Sequence, residues 1–205
     1  MIDFNNFVGE ARKLSRDDIA SAAHSIEVKP AALAAVLSVE SSGSGFDKLG
    51  RPRILFEPHI FYRQLLKMPD LQSRAIELGL AYKNWGTLPY PRTSDDNYAR
   101  LTQAMAIEPQ AALRSASWGL GQIMGFNHFL CGSTTVEAFV LEAMESELNQ
   151  LEQMCHFLVA SRLDDELRSL DWSGFARGYN GPGYATNKYD TKLAEAFVTN
   201  QPRFS

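Results

Sequence analysis

The segment Pro30-Ala31-Ala32-Leu33-Ala34-Ala35-Val36-Leu37-Ser38-Val39-Glu40 constrains this chain more than any other stretch. Proline fits the first position of a helix, where its missing N–H needs no partner. The apolar residues that follow leave almost no polar face, so a helix over 30–40 has to be central and buried. The nearly uninterrupted apolar run, Ala31 to Val39, is about half the length needed to cross a bilayer. It therefore reads as a core helix that ends at Glu40 because Ser41-Ser42-Gly43-Ser44-Gly45 follows.

Elsewhere apolar residues recur at spacings of three and four, and period-two alternation is nearly absent. The expected fold is predominantly α, of the α+β kind: a helical bundle around the buried helix, with one small β-element near 51–57. That element lies between Gly50-Arg51-Pro52 and Pro58. Ser15 and Asp18 have the spacing of a capping box, which starts a first helix running to about Ile26. Pro58 opens a helix to Leu66, and another is expected near Leu71 to Leu80, followed by irregular chain to Arg92. Further helices are expected over 95–106, 109–114, 118–124, 164–170, 172–179 and 189–200, with Gly119 and Gly121 weakening the third. Thr134-Thr135-Val136-Glu137 reads as a second capping box, opening a long or kinked helix on which Met144, Leu148, Leu151, Cys155 and Leu158 share a face. With 205 residues, no repeat and no linker-like tract, residues 1–205 are expected to form a single domain.

Several function classes are disfavoured. Twenty Lys and Arg against 24 Asp and Glu give a net charge of −4 without any basic block, which argues against nucleic-acid binding. The start, Met1-Ile2-Asp3-Phe4-Asn5-Asn6, lacks the basic and apolar regions of a secretory signal, so cytoplasmic synthesis without a signal peptide or membrane insertion is expected. Cys131 and Cys155 permit one disulfide without requiring it, and two buried thiols are the simpler reading. His24, His59, His128 and His156 show no metal-ligand spacing. Nucleophile-elbow, phosphate-loop and dinucleotide motifs are absent from the sequence. Carboxylate chemistry remains.

Glycosidic cleavage needs a carboxylic acid that keeps its proton near neutral pH, usually with a second carboxylate that stays ionised. Glu40 ends an apolar helix, where desolvation and the negative end of the helix dipole both disfavour its charged form. Glu57 precedes Pro58 at a helix start, where the positive dipole end favours the ionised form. These opposite environments suit acid and base roles. A simple capping function for Glu57 is the alternative.

The surrounding residues resemble a known family. Ser38-Val39-Glu40-Ser41-Ser42-Gly43, followed by Gly50-Arg51-Pro52-Arg53-Ile54-Leu55-Phe56-Glu57-Pro58-His59, resembles the opening of the phage-associated N-acetylmuramidases. Ser117-Trp118-Gly119-Leu120-Gly121-Gln122-Ile123-Met124-Gly125 and Ala176-Arg177-Gly178-Tyr179-Asn180-Gly181 resemble the family's middle and last motifs. The motif order is also similar to goose-type lysozymes and lytic transglycosylases. The resemblance implies a mostly helical lysozyme-like fold and no cofactor. It also implies cleavage between N-acetylmuramic acid and N-acetylglucosamine in peptidoglycan glycan strands, with Glu40 and Glu57 catalytic. Ser41, Trp118, Gly119, Gln122, Tyr179 and Asn180 are the substrate-binding candidates. Gln122 can donate and accept hydrogen bonds, and the glycines let a sugar chain approach the backbone or two elements cross closely. Trp118 is core or cleft wall. Asn180 could equally belong to a turn. Trp85, Tyr90, Tyr98 and Tyr184 could stack on sugars or be structural.

An endolysin of this kind is expected to act as a monomer and to reach the wall through a lesion made by another protein. Two alternatives stay open. A lytic transglycosylase needs one acid only and leaves anhydromuramic ends, and a virion-structural or binding module would keep the groove without cleaving.

Overall fold

The structure is a computed structural model that describes residues 4–40, 44–87 and 89–204, and all of their side chains except those of Asn5 and Glu40. The apolar segment forms α2 (Pro30–Glu40), and Ala31 through Leu37 are all buried. It lacks a polar face because it serves two clusters. Leu33, Val36 and Leu37 enter the main core, while Ala31, Ala32 and Ala35 pack with Phe197 of α11 (Tyr189–Asn200). The small side chains on that face let α11 run close along α2. At Ser38 the helix emerges from the core. The Ser38 hydroxyl donates to the Ala34 carbonyl at 2.8 Å and accepts from the Asn200 amide of α11 at 3.3 Å.

The other helices surround this pair. In chain order they are α1 (Arg16–Ser25), α3 (Pro58–Gln64), α4 (Pro69–Glu77), α5 (Ser94–Met105), α6 (Pro109–Arg114), α7 (Val136–Glu145), α8 (Glu147–Ala160), α9 (Asp164–Ser169) and α10 (Trp172–Asn180). α1 carries the expected capping box: the Ser15 hydroxyl accepts from Asp18 N at 3.1 Å, and Asp18 accepts from Ser15 N at 2.8 Å. The long helix expected after residue 135 is two helices, because Ser146 is extended (φ −157°, ψ 154°) and caps α8. Its start is capped by Thr135, one residue later than expected. The Thr135 hydroxyl accepts from Ala138 N at 3.1 Å, so Thr134 and Glu137 form no capping box.

The β-element is a small antiparallel sheet of β1 (Ile54–Phe56), β2 (Ala116–Trp118) and β3 (Ile123–Met124), in that order. Ile54 pairs with Trp118 and Phe56 with Ala116, and Trp118 then pairs with Ile123. The helix expected over 118–124 is therefore a hairpin. Gly119 (φ +64°) and Gln122 (φ +47°) both sit in the left-handed region, which a right-handed helix cannot pass through.

Cys131 and Cys155 are both buried and free, and burial pushes each thiol up to about 12. Among the described residues no single helix is long and apolar enough to cross a membrane.

Candidate active site

The hairpin loop 119–122 forms part of one wall of an open groove of about 840 Å³. Gly119 must be glycine on two counts. Its φ is positive, and a Cβ there would come within 2.6 Å of the Gln150 side chain of α8. Gln150 uses its oxygen to accept from Leu120 N at 2.9 Å, and its amide donates to the Ala143 carbonyl at 2.7 Å, so α8 fixes the loop from behind. From the front the loop is braced by Gln122. Its amide donates to the carbonyls of Gly119 (2.9 Å) and Arg53 (3.2 Å), and its oxygen accepts from Ser117 Oγ at 3.0 Å. Both amide hydrogens of Gln122 are thus engaged, which leaves acceptor capacity on Oε1 toward the groove. Arg53 is the hub of this wall. Its carbonyl also accepts from Gly119 N at 2.8 Å, its own N–H donates to the Gly45 carbonyl at 2.8 Å, and its Nε donates to the Phe46 carbonyl at 3.3 Å.

Through Arg53, the chain that follows Glu40 is stitched to the hairpin. That chain is held again from below by Glu147, the first residue of α8, whose side chain is 7% exposed. Its carboxylate accepts from Gly45 N (2.9 Å), Ser44 Oγ (3.0 Å), Leu14 N (2.9 Å) and Lys13 Nζ (3.1 Å). Burial alone would raise this carboxyl, but the four donors outweigh burial and hold it below the usual range.

Another part of the groove lining is charged. Asp47 accepts from Arg51 Nε at 2.8 Å and Ser94 Oγ at 2.6 Å, and Arg51 also pairs with Asp95 at 2.5 Å. Arg51 lies 4.3 Å above the ring of Tyr98, whose hydroxyl donates to the Pro52 carbonyl. Burial opposes the charge on Asp47, yet Ser94 and Arg51 hold its carboxyl below the ordinary value.

Glu57 sits at the N-cap of α3 but makes no capping bond with its side chain, so it is not a simple cap. Its Oε2 receives the Tyr90 hydroxyl at 2.5 Å and His59 Nδ1 at 3.1 Å. Burial lowers the His59 imidazole, with Glu57 opposing that shift and Arg63 adding to it; beside a carboxylate oxygen, Nδ1 is the donor. Glu57 is not among the residues lining the groove that holds Gln122.

The remaining candidates fall as follows. The backbone of Glu40 closes α2, but its side chain, and Ser41 entirely, lie outside the described residues. Trp118 is 2% exposed and its indole N–H donates to the Leu113 carbonyl at 3.1 Å, so it is core and not cleft wall: β2 turns its side chain inward. Gly119 and Gln122 are on the groove wall. Tyr179 stacks on Phe175 (5.3 Å between ring centroids), and its hydroxyl donates to the Gly121 carbonyl at 2.7 Å, which ties the last motif to the middle one. Asn180 is the final residue of α10, ahead of Gly181. Of the aromatic candidates, Tyr98 is buried beneath Arg51, Trp85 is exposed, and Tyr90 is committed to Glu57.

A family model described as N-acetylmuramidase matches residues 29–201. The chain belongs to the N-acetylmuramidase family. The crystal structure of a Burkholderia AP3 phage endolysin is similar to it, with 42% identity and a TM-score of 0.83 over 92% of this chain and 71% of that one. Among curated proteins there is no significant match. Membership of the family makes the chain a lysozyme-type glycoside hydrolase and peptidoglycan hydrolase. All three motifs fall inside the matched span, with Glu40 near its start and Asn180 near its end. Among the described residues no group of three His, Cys, Asp or Glu could hold a metal. Arg53, Glu147 and Gln150 escaped the sequence reading. Arg53 stood inside a quoted motif without a role, while nothing local marks Glu147 or Gln150, because the backbone groups they hold at Leu120, Gly45 and Leu14 lie 30 to 133 residues away.

Proposed function

We propose that this N-acetylmuramidase cleaves the β-1,4 bond between N-acetylmuramic acid and N-acetylglucosamine, with Glu40 as the general acid that protonates the leaving oxygen. The observation that carries this reading is the course of α2. Seven consecutive buried apolar residues are followed by an exposed Ser38, so the last turn of α2, whose backbone Glu40 closes, leaves the core. The chain after it is bound through Gly45 and Arg53 to the groove wall of Gly119 and Gln122. A carboxyl at the C-terminal end of a helix feels the negative end of the dipole, which favours the protonated form an acid catalyst needs. In this reading Glu57 is the second carboxylate, oriented by Tyr90 and His59. Tyr179 holds the Gly121 carbonyl and so fixes the loop beneath the sugar. Gln122 offers its acceptor oxygen to it, and Asn180 is the further candidate from the last motif.

One observation favours a second reading. Glu57 is bound on Oε2 by two donors and does not line the groove, and a lytic transglycosylase requires no second carboxylate. Mass spectrometry of digested peptidoglycan separates the two. Reducing muramic ends support hydrolysis, and 1,6-anhydromuramic ends overturn it. If Glu40→Gln bound strands yet retained most of the wild-type turnover, the acid assignment would be lost in either case.

Action on the cell wall follows from the same substrate. The protein is proposed to act there as a single catalytic unit, a state that sedimentation of the purified chain tests.

A further inference from the structure

The groove is locally cationic in a chain whose net charge is −4. Lys48, Arg51, Arg53 and Arg92 line it, against the carboxylates Asp47 and Asp95. Both carboxylates are taken by Arg51, whereas among the described residues no salt bridge holds Lys48, Arg53 or Arg92. The field left in the groove is therefore positive, and a cleft with low-dielectric walls concentrates it.

Arg53 is also oriented. Its backbone is bonded on both sides, to Gly45 and to Gly119, and its Nε is anchored on the Phe46 carbonyl. That bond orients the guanidinium, and among the described residues no hydrogen bond or salt bridge engages its two terminal nitrogens. A planar fork with two parallel N–H donors matches a carboxylate better than it matches a neutral hydroxyl.

We propose that Arg53 and Arg92 form a carboxylate-binding subsite that reads the acidic substituent of the muramic acid residue, so that the enzyme discriminates between charged and neutral glycan. The inference rests on the reading of this groove as the substrate cleft. N-acetylmuramic acid differs from N-acetylglucosamine by a lactyl ether. In naked glycan the lactyl carboxylate is free; in peptide-bearing glycan it is amide-linked to a stem that carries carboxylates of its own. Either source supplies the same chemistry.

The test measures binding by the full chain carrying Glu40→Gln, so that strands are not consumed. Two pairs of strands are compared: peptide-free strands and the same strands with their lactyl carboxylates converted to methylamides, and peptide-bearing strands and the same strands with their stem carboxylates converted to methylamides. The expected result is a preference for the charged member of at least one pair by about tenfold or more, the size of a charge-assisted hydrogen bond. The pair that shows it identifies the carboxylate. Arg53→Gln together with Arg92→Gln should bring that preference close to one, and Arg53→Lys should restore part of it. Arg92→Gln alone provides a variant that disturbs no backbone contact, and it should lower the preference on its own. A parent protein that binds charged and neutral strands equally overturns the proposal, as does a preference that survives both substitutions. Failure of the underlying reading looks different, because no strand of either kind would then bind saturably.

Discussion

α2 and α8 both support the groove, and they do it by opposite physics. α2 is held by apolar contact on nearly every side, and Ser38 in its last turn makes polar contacts with Ala34 and Asn200. α8 buries Ser146, Glu147, Gln150 and Gln153 at its N-terminal half, and each of these side chains serves a backbone group, three of them on other segments: Ser146 caps its own helix, Glu147 binds Leu14 and Gly45, Gln150 binds Leu120, and Gln153 binds Phe139. Packing of apolar side chains, none of them titratable, sets the course of α2. Hydrogen bonds set where the two loops of the wall lie, and one of the groups involved is a carboxylate. The end of α2, where the proposed acid stands, and the shape of the groove can therefore be disturbed separately.

The largest effect is expected at the end of α2. Glu40→Gln keeps the shape and removes the transferable proton, so turnover should fall by about a thousandfold, within the range of general acid catalysis, while strand binding and melting temperature stay close to wild type. Single-turnover digestion alongside a binding isotherm measures both. Next comes the core of the same helix. Leu33 is fully buried, and Leu33→Ala should cost about 3 kcal/mol in a urea titration. Its stability deficit should be the same at pH 5 and pH 7, since no titratable group is touched. A deficit that changed steeply with pH would break the contrast between the two helices.

The sequence made α2 legible because burial on all sides leaves an unambiguous pattern: eleven residues with no polar stripe allow only one kind of environment. Pro30 and Pro109 likewise placed their helix starts, and the Ser15 box placed α1. Residues 118–124 read as helix because Leu120 and Gln122, in the loop of the hairpin, have ordinary helical propensity. What decides against helix is the left-handed backbone at Gly119 and Gln122, stabilised by contacts from Arg53 and Gln150 that are distant in sequence. The same reason hid half of the candidate site. Glu40, Gln122 and Tyr179 stand in local motifs, whereas Glu147 and Gln150 are ordinary polar residues of a helix until the fold brings Gly45 and Leu120 against them. Trp118 could not be assigned to core or cleft until the sheet register fixed which way β2 turns it.

Glu147 supplies the prediction that sharpens the contrast. Its donors outweigh its burial and lower its carboxyl, so its contribution is fully present above the unfolded value near 4.3 and is lost as pH falls through the lower folded value. Glu147→Gln should therefore cost about 2 kcal/mol at pH 7, the worth of charge-assisted bonds to a buried acceptor. The gap to wild type should shrink as the pH drops below about 4, because the protonated wild type resembles the variant. Thermal melts of both proteins from pH 7 to pH 3 give the measurement. Parallel curves throughout would mean that Glu147 does not carry the pH dependence of this wall.

The smallest effect concerns Tyr90, and it discriminates between the two readings of Glu57. Tyr90→Phe removes one of the two donors on Oε2 and leaves His59 in place, so the fold should lose no more than about 1 kcal/mol. If Glu57 stabilises or activates something at the reacting carbon, the freed carboxylate gains rotational freedom. Turnover should then fall a few-fold with KM nearly unchanged, the signature of an interaction made in the transition state and not in the ground state. Glu57→Gln should then fall much further. If Glu57 only anchors α3 and the 81–92 loop through Tyr90, both substitutions should lower the melting temperature without altering turnover measured well below it. One-acid chemistry would then be the simpler account of the groove, and anhydromuramic ends would be the expected product.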